Sequence, residues 1–422
     1  MLTAIVWVLY AAVLFISFFL LIVLLEHGGI KKPVEWLDEW PKLTLIIPAY
    51  NEEETIQMTI ESILAADYPS DKLNIIVVND GSQDETAEKV EPYTDRVDLI
   101  NQENQGKGAA LNTGLDKVET ELFGCVDADS RLKDDSLKNI VSELEEGSGG
   151  IASAMKVYQP QNMLQKLQWV EYLMGIFLRN IMSFIDSIHV TPGPLSIYRT
   201  EPVKELGGFD EDSIVEDQEI CFKLQNNGWD ISHSRRGEVF TVAPETVREF
   251  YDQRYRWYKG ALQNIVKYKH MIFNREYGDF GMFSIPTKIA QSILSVTALF
   301  IISYYILDPV YNLFLSVNRI GIEAYLTALE MLSVSEVITT LYWILVSIDV
   351  VSITLLGSLV FLTFILYFMT IQHTEEDMFA QGLLPMLIYI FWYFLFVGAI
   401  WLIVYIDSIK DHLTKGETEW HW

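Results

Sequence analysis

The sequence predicts an α/β domain with a mostly parallel sheet, inserted between transmembrane helices. Three observations carry that expectation. Between residues 43 and 127, β-branched apolar runs alternate with helically spaced ones, the pattern of a sheet covered on both faces. A charge-free apolar run fills residues 4 to 25. Long apolar stretches return only after residue 286, so the 422-residue chain divides into a spanning segment 1–26, a globular part 27–285, and a C-terminal region 286–422 with about three more spans.

The elements follow in order. AIVWVLYAAVLFISFFLLIVLL, residues 4 to 25, is long enough as a helix to cover roughly 33 Å, a bilayer core. The preceding MLT lacks a positive n-region and the apolar run outlasts an h-region, which favours an anchor over a cleaved signal. LTLIIP (43–48) reads as the first strand and NEEETIQMTIESILAA (51–66) as a helix with acids in its first turn. LNIIVV (73–78) is the next strand, stopped by NDGS; VDLI (97–100) and ELFGCVD (121–127) follow, with helical GAALNTGLDKV between them. QNMLQKLQWVEYLMGIFLRNIMSFI, 161 to 185, spaces apolar residues helically among Gln, Lys, Glu and Arg; it reads as an interfacial helix, or else as a buried helix of the globular part. Further spans are expected at 286–307, at about 343–370 with Asp349 inside, and at 383–406. Lys31 and Lys32 after the first span place the globular part in the cytoplasm of a multi-pass cell-membrane protein, although Lys410 and Lys415 pull the other way at the far end.

Composition narrows the function classes. The chain is 50% hydrophobic yet 21% charged, with a formal net charge of −27 and a pI of about 4.6, which argues against nucleic acid as a partner. Its two cysteines, Cys125 and Cys221, imply packing residues rather than a disulfide framework. No G-x-G-x-x-G follows the first strand and GKGAAL lacks P-loop spacing, so neither a dinucleotide enzyme nor a P-loop ATPase is favoured.

In a sheet of this kind ligands gather at the carboxyl ends of the strands, and the polar motifs PAYNE, NDGSQD and DADS fall there. Asp127 and Asp129 are two apart, so in an extended segment both carboxylates point to one side and suit Mg²⁺ or Mn²⁺; an acidic turn is the plain alternative. Asp80 before Gly81 is usual turn chemistry, or an acceptor for a base N–H. Glu216 and Asp217 suit the first turn of a helix, or a general base. YDQRYRWYKG, 251 to 260, packs cations and aromatics together in this acidic chain. In a helix Gln253, Arg256 and Trp257 share a face able to hold a phosphate and stack a sugar, while the same residue types also anchor helices at a membrane interface.

Together these motifs resemble the family 2 glycosyltransferases, in particular the membrane-embedded processive group that includes cellulose, chitin, hyaluronan and poly-N-acetylglucosamine synthases. PAYNEE, VVNDGSQDET, NQGKGAALN, DADS, TPGPLSIYR, ED and QRYRW match in order across residues 41 to 275. The resemblance implies a GT-A fold and a nucleotide-diphosphate sugar donor such as UDP-GlcNAc or UDP-glucose. It implies that Tyr50, Glu52 and Asp80 hold the uridine, that Lys107 lies near the phosphates, that Asp127 contacts the nucleotide and that Asp129 binds the Mg²⁺ or Mn²⁺. Asp217 of the Glu216–Asp217 pair would be the base, Gln253, Arg256 and Trp257 would serve the diphosphate and the acceptor sugar, and Thr191, Pro192 and Gly193 would line the acceptor site. The activity implied is extension of a β-linked polysaccharide with export through the spans, the interfacial helix lying beneath the channel and the loop 371–382 facing the cytoplasm near the substrate. A non-processive transferase acting on a lipid acceptor such as a polyprenyl phosphate, and a catalytically silent channel subunit, are the rivals. One departure is Val215 before the Glu–Asp pair, where many relatives carry Thr.

Overall fold

The computed structural model describes residues 2–27, 36–331, 350–377 and 380–414, with scattered positions between 333 and 342. Lys31, Lys32, Asp349 and Lys415, used in the orientation and span readings, lie outside the described residues. An N-terminal helix α1 (Leu2–Glu26) is followed by the expected strands β1 (Leu43–Ala49), β2 (Leu73–Asp80), β3 (Asp98–Gln102) and β4 (Leu122–Cys125). These pair in parallel, β3-β2-β1-β4.

The sheet then widens to eight strands by adding β7 (Ser196–Arg199), β6 (Ser148–Val157), β8 (Asp230–Thr241) and β5 (Ser130–Leu132), in that order. β7 is antiparallel to both neighbours, β6 and β8 are parallel, and β5 is antiparallel to β8. Six strands therefore run one way, and β5 and β7 the other. The parallel expectation holds for the first half; the second half is mixed because β7 returns against β4.

All seven residues of β1 are buried, as a strand covered on both faces requires. Alternate side chains divide between two cores. Leu43, Leu45 and Ile47 meet Ile56, Ile60 and Ile63 of α2 (Ile56–Leu64) on one face. Ile46, Ile76 and Val78 meet Ala110 and Leu111 of α4 (Lys107–Asp116) and Ile220 and Leu224 of α8 (Glu216–Asn226) on the other. The expected α2 starts five residues later than its sequence pattern. Asn51 adopts φ 55° and is stitched to the β2 loop, its amide donating to Ser82 Oγ at 3.0 Å and its Oδ1 accepting from Gln83 N at 2.8 Å, so the acids 52 to 54 sit in a turn.

The amphipathic segment forms α6 (Met163–Ser183), opened by a capping box between Asn162 and Gln165. Trp169, Leu173 and Ile176 pack toward β6 with Tyr367 and Ile371 of α12 (Val350–Thr374), while Phe177 and Ile181 pack on Leu20, Val23 and Leu24 of α1. It is thus a joint between the sheet and the apolar helices, buried on several sides. α9 (Val247–Lys267) follows β8, and the long α10 (Ile285–Ile320), α11 (Ile322–Met331), α13 (Leu383–Ile388) and α14 (Phe394–Thr414) complete the chain. A Cβ on Gly398 of α14 would stand 2.5 Å from the Ser295 carbonyl of α10, so the glycine permits these two helices to touch.

Among the described residues three helices are long and apolar enough to cross a membrane: Trp7–Glu26, Phe280–Ile320 and Leu383–Leu413. The second extends well beyond the expected 286–307. Of the expected span near 343–370, the described part is helical from Val350, with Val360–Thr374 a shorter apolar stretch.

Candidate active site

The loops at the carboxyl ends of β1 and β2 are laced together. The Glu52 amide donates to Thr86 Oγ1 at 2.7 Å, and the Glu85 amide donates to Glu53 Oε2 at 2.9 Å. Tyr50 stands half-buried at the mouth of this pair. Asp80, the last residue of β2, is buried, and its carboxylate accepts from Gln102 Nε2 at 2.7 Å, from the Gln105 amide at 3.0 Å and from the Gly106 amide at 2.8 Å. That carboxylate holds the turn entering α4, so its first effect is to aim the helix's first residue, Lys107.

Lys107 is the hub. Its Nζ lies 2.7 Å from Asp127 Oδ1 beyond β4 and 2.6 Å from Glu216 Oε1 at the start of α8. Burial opposes its charge, but Asp127, Glu216 and Asp217 together hold its pKa above the usual lysine value. The Thr191–Gly193 turn closes over this pair: a Cβ on Gly193 would stand 2.7 Å from Asp127 Oδ2 and 2.9 Å from Lys107 Nζ, a space that a side chain would occupy. Thr191 Oγ1 donates to the Asp217 carbonyl at 2.8 Å and accepts from Tyr198 Oη at 2.8 Å, and the Pro192 carbonyl accepts from Ser196 Oγ at 2.8 Å. Five expected site residues, 107, 127, 191, 193 and 216, thus meet across four segments distant in sequence.

The acids outnumber that one cation. Burial, then Glu216, pushes the Asp217 carboxyl up to about 7. Burial, then Asp127 and Glu52, pushes Asp129 up to about 7, and burial raises Glu52 against the Thr55 hydroxyl that donates to it at 2.6 Å. The hydroxyls of Ser130 and Thr241 donate to Asp129, each at 3.3 Å. Hard oxygen donors with excess negative charge fit a divalent cation. Among the described residues no three His, Cys, Asp or Glu side chains are grouped so as to hold a metal ion by themselves.

α9 carries the cationic, aromatic stretch, and the structure splits it. Gly260 touches Val215 so closely that a Cβ would lie 2.3 Å from Val215 Cγ2, seating α9 against the start of α8 and hence beside Asp217. Val215, the departure from the expected Thr, is the contact. Gln253 and Trp257 are half-buried and Arg256 is exposed. Tyr255, Tyr258 and Lys259 instead face α14: Tyr255 Oη donates to Asp407 Oδ2 at 2.9 Å, Tyr258 stacks on Trp401 with centroids 4.7 Å apart, and Lys259 Nζ pairs with Asp411 Oδ2 at 2.7 Å. One side of the helix thus packs on α14, and Arg256 points to the exposed side.

Arg254 was hidden in the same motif. It is fully buried, ion-paired with Glu171 of α6, bonded to Gln253 Oε1, and stacked over Trp257 at 4.3 Å and Phe250 at 4.7 Å, while Tyr393 Oη donates to Glu171 Oε2 at 2.7 Å. One face of Trp257 is therefore already covered. A cation set between Phe250 and Trp257 at i−4 and i+3 was the available signal; Glu171, its partner 83 residues away, had none. Of the expected loop 371–382, residues 371 to 374 are instead the last turn of α12, where Ile371 lies in the apolar cluster against which Trp257 packs; Lys156 Nζ binds the Thr374 carbonyl at 3.1 Å and Glu376 Oε1 at 2.9 Å.

Residues 44–207 match the family model described as Glycosyl transferase family 2. Curated relatives include the poly-beta-1,6-N-acetyl-D-glucosamine synthase of Staphylococcus aureus, 30% identical over 244 residues, which are 56% of this chain and 58% of the relative. The enzyme of the same name from Staphylococcus epidermidis is 29% identical over 232 residues, 53% of this chain and 56% of the relative. The chain thus spans somewhat over half the length of the curated relatives it matches. Among solved structures, a mannosyltransferase from Pyrobaculum calidifontis, in complex with GDP-Man and Mn²⁺, superposes with a TM-score of 0.58 at 19% identity, over 89% of this chain and 98% of that one. At that identity the likeness is one of fold, and it agrees with the GT-A expectation.

Proposed function

We propose, from the premise that residues 44–207 are a family 2 glycosyl transferase domain, that the chain moves a sugar from a nucleotide-diphosphate sugar to an acceptor hydroxyl with inversion. The convergence of Asp127, Glu216 and the Thr191–Gly193 turn on Lys107, with Thr191 Oγ1 donating to the Asp217 carbonyl, carries this reading. Asp217, in its carboxylate form, takes the proton of the acceptor hydroxyl; the oxygen attacks the sugar C1 in line, and the bond from C1 to the diphosphate breaks. Lys107 and Arg256 supply positive charge to the departing diphosphate, with Gln253 beside them. Tyr50, Glu52 and the loop held by Asp80 form the nucleotide side, and Thr191, Pro192, Gly193 and Trp257 the acceptor side. Asp129, with Asp127, would hold Mg²⁺ or Mn²⁺, which when bound offsets diphosphate charge.

The finer reading is a processive synthase that extends a β-linked polysaccharide on the cytoplasmic side of the cell membrane, with 27–285 as the transferase domain and the helices at 1–26 and 286–422 as the export path. The names of the staphylococcal relatives support it, with GlcNAc as the sugar. The second reading is transfer to a lipid-linked acceptor. Incorporation of label from a panel of UDP-sugars by membranes containing the chain, with Mg²⁺ or Mn²⁺, tests both. A long polymer lost with EDTA supports the synthase; a short, lipid-extractable product replaces it with the second reading, and no incorporation from any donor overturns both.

A further inference from the structure

In the middle of the cationic stretch of α9, Arg254 is withdrawn from solvent, while Gln253 and Trp257 on either side of it are half-buried. A guanidinium carries only donors, so it is met by oxygens or by ring faces. Two of its nitrogens meet oxygens: Nη1 donates to Gln253 Oε1 and Nη2 to Glu171 Oε2. Its central carbon stands 4.3 Å from the ring centroid of Trp257, 4.7 Å from that of Phe250 and 5.9 Å from that of Tyr172.

Packing alone gives no reason for a charge at this place, because apolar side chains of like volume often replace a buried ion pair without loss of stability. What an apolar side chain could not do is fix the two residues beside it. Facing a group that only donates, Gln253 turns its amide oxygen inward and leaves its NH₂ group for an anionic oxygen on the other side. Drawn to the face of the indole, the guanidinium holds the Trp257 ring at one angle and leaves its other face for a ligand.

Arg254 is in turn anchored from the last candidate span. Glu171 Oε2 accepts from Tyr393 Oη at 2.7 Å, and the buried Tyr393 ring stacks on Tyr389 with centroids 5.0 Å apart and stands edge-on to Phe250 at 6.1 Å. Tyr389–Tyr393 form a single π turn between α13 and α14. Such turns inside helices are frequent at functional sites. At the other end, Gly260, three residues beyond Trp257, touches Val215, two residues before Asp217. Tyr393, Glu171, Arg254 and Trp257 thus form one chain of contacts that leads toward the base.

We propose that Arg254, held by Glu171 and Tyr393, is a positioning residue for transfer: it presents the amide donors of Gln253 to the diphosphate and sets the angle of the Trp257 ring on which the acceptor sugar rests. The inference rests on the sugar-transfer reading of the site and adds the group that orients its two sides. A misplacement of about 1 Å in such a platform costs up to roughly 10²-fold in rate.

The test uses the full-length chain purified in detergent, with UDP-GlcNAc as donor and a β-1,6-linked N-acetylglucosamine pentasaccharide as acceptor. Arg254→Met should raise the acceptor KM about tenfold, and Arg254→Lys, which keeps a cation and a donor, should recover most of it. Lys259→Met is the control, because Lys259 forms a comparably buried pair with Asp411 at the same junction. It should lower the thermal midpoint and leave the acceptor KM unchanged. In Arg254→Met/Trp257→Ala the KM should rise no further than in Trp257→Ala alone, since a ring that is absent cannot be misplaced. Should Arg254→Met lose UDP binding by misfolding, Glu171→Gln carries the same expectation at about threefold. Additive effects of the two substitutions, or an equal rise in Lys259→Met, would show a mere brace and overturn the proposal. No transfer by the unaltered chain removes the sugar-transfer reading and this inference with it, whereas ordinary transfer with additive variants removes the positioning role alone.

Discussion

The strand-end site and the junction of α6, α9 and α14 use the same residue types to opposite ends. At the junction the buried cations meet carboxylates, Arg254 with Glu171 and Lys259 with Asp411, and the Tyr255 hydroxyl donates to Asp407. At the strand ends Glu52, Asp127, Asp129, Glu216 and Asp217 surround the single ammonium of Lys107, and two of the carboxyls are driven up to about 7. Matched burial assembles the protein. Unmatched burial has a cost that a folded chain tolerates where a ligand supplies the missing charge.

The largest effect expected from this contrast is at Asp217. Asp217→Asn should lower transfer by roughly 10²- to 10⁴-fold while UDP still binds, measured by label incorporation and by nucleotide titration. Turnover near the level of the unaltered chain would break the assignment of the base.

At the junction the loss should appear in stability instead. Arg254→Met leaves Glu171 with the Tyr393 hydroxyl in place of a guanidinium and should cost about 1.5–3 kcal/mol, read as a fall in the thermal midpoint in detergent, with Arg254→Met/Glu171→Gln recovering part of it. If the single variant is as stable as the unaltered protein, the junction is not the matched region described.

The pH dependence sharpens the same contrast, because activity and stability should move in opposite directions. Asp217 is a base only when ionised, so the transfer rate should rise through pH 7 and fall about tenfold per unit below it. Its carboxyl is pushed up to about 7 from an ordinary 3.8, so between those values the folded chain binds more protons than the unfolded one. Stability therefore falls as pH rises through that window. Asp217→Asn should then raise the thermal midpoint at pH 8 and change it little near pH 4. A lower midpoint at pH 8 would show that the carboxylate is matched after all.

The smallest effect is expected at Arg248, paired with Asp252 at 3.9 Å on the exposed side of α9, with its side chain 92% exposed. Arg248→Ala should leave both midpoint and transfer unchanged, since solvent screens such pairs. A measurable loss of transfer there would extend the site along α9.

Much of this was legible in one dimension because it depends on local pattern. β1 to β4, α4 and the apolar helix near the N-terminus are periodic segments whose partners lie on either side of them in the fold, and each formed within a few residues of its expected bounds. The acids 80, 127 and 129 stood out because strand ends expose polar residues that a core cannot use, and 217 because it opens a helical pattern. The late start of α2 was not legible, since bonds from Asn51 to Ser82 and Gln83, some 30 residues on, override a helical pattern. Nor was the mixed half of the sheet, where β7 pairs with β4 across more than 70 residues.

By itself the sequence determined that a doubly covered sheet would be flanked by apolar helices and that its strand ends would be acidic, because periodicity and composition act residue by residue. Only the tertiary structure decided which charges are spent and which are left over. Asp80 turned inward to hold the turn that aims Lys107, Arg254 found Glu171, and Arg179 kept Nε and Nη2 buried without a hydrogen-bond partner among the described residues. The reason is physical: the worth of a charge depends on burial and on what lies within a few ångströms, and those are set by segments far apart in the chain.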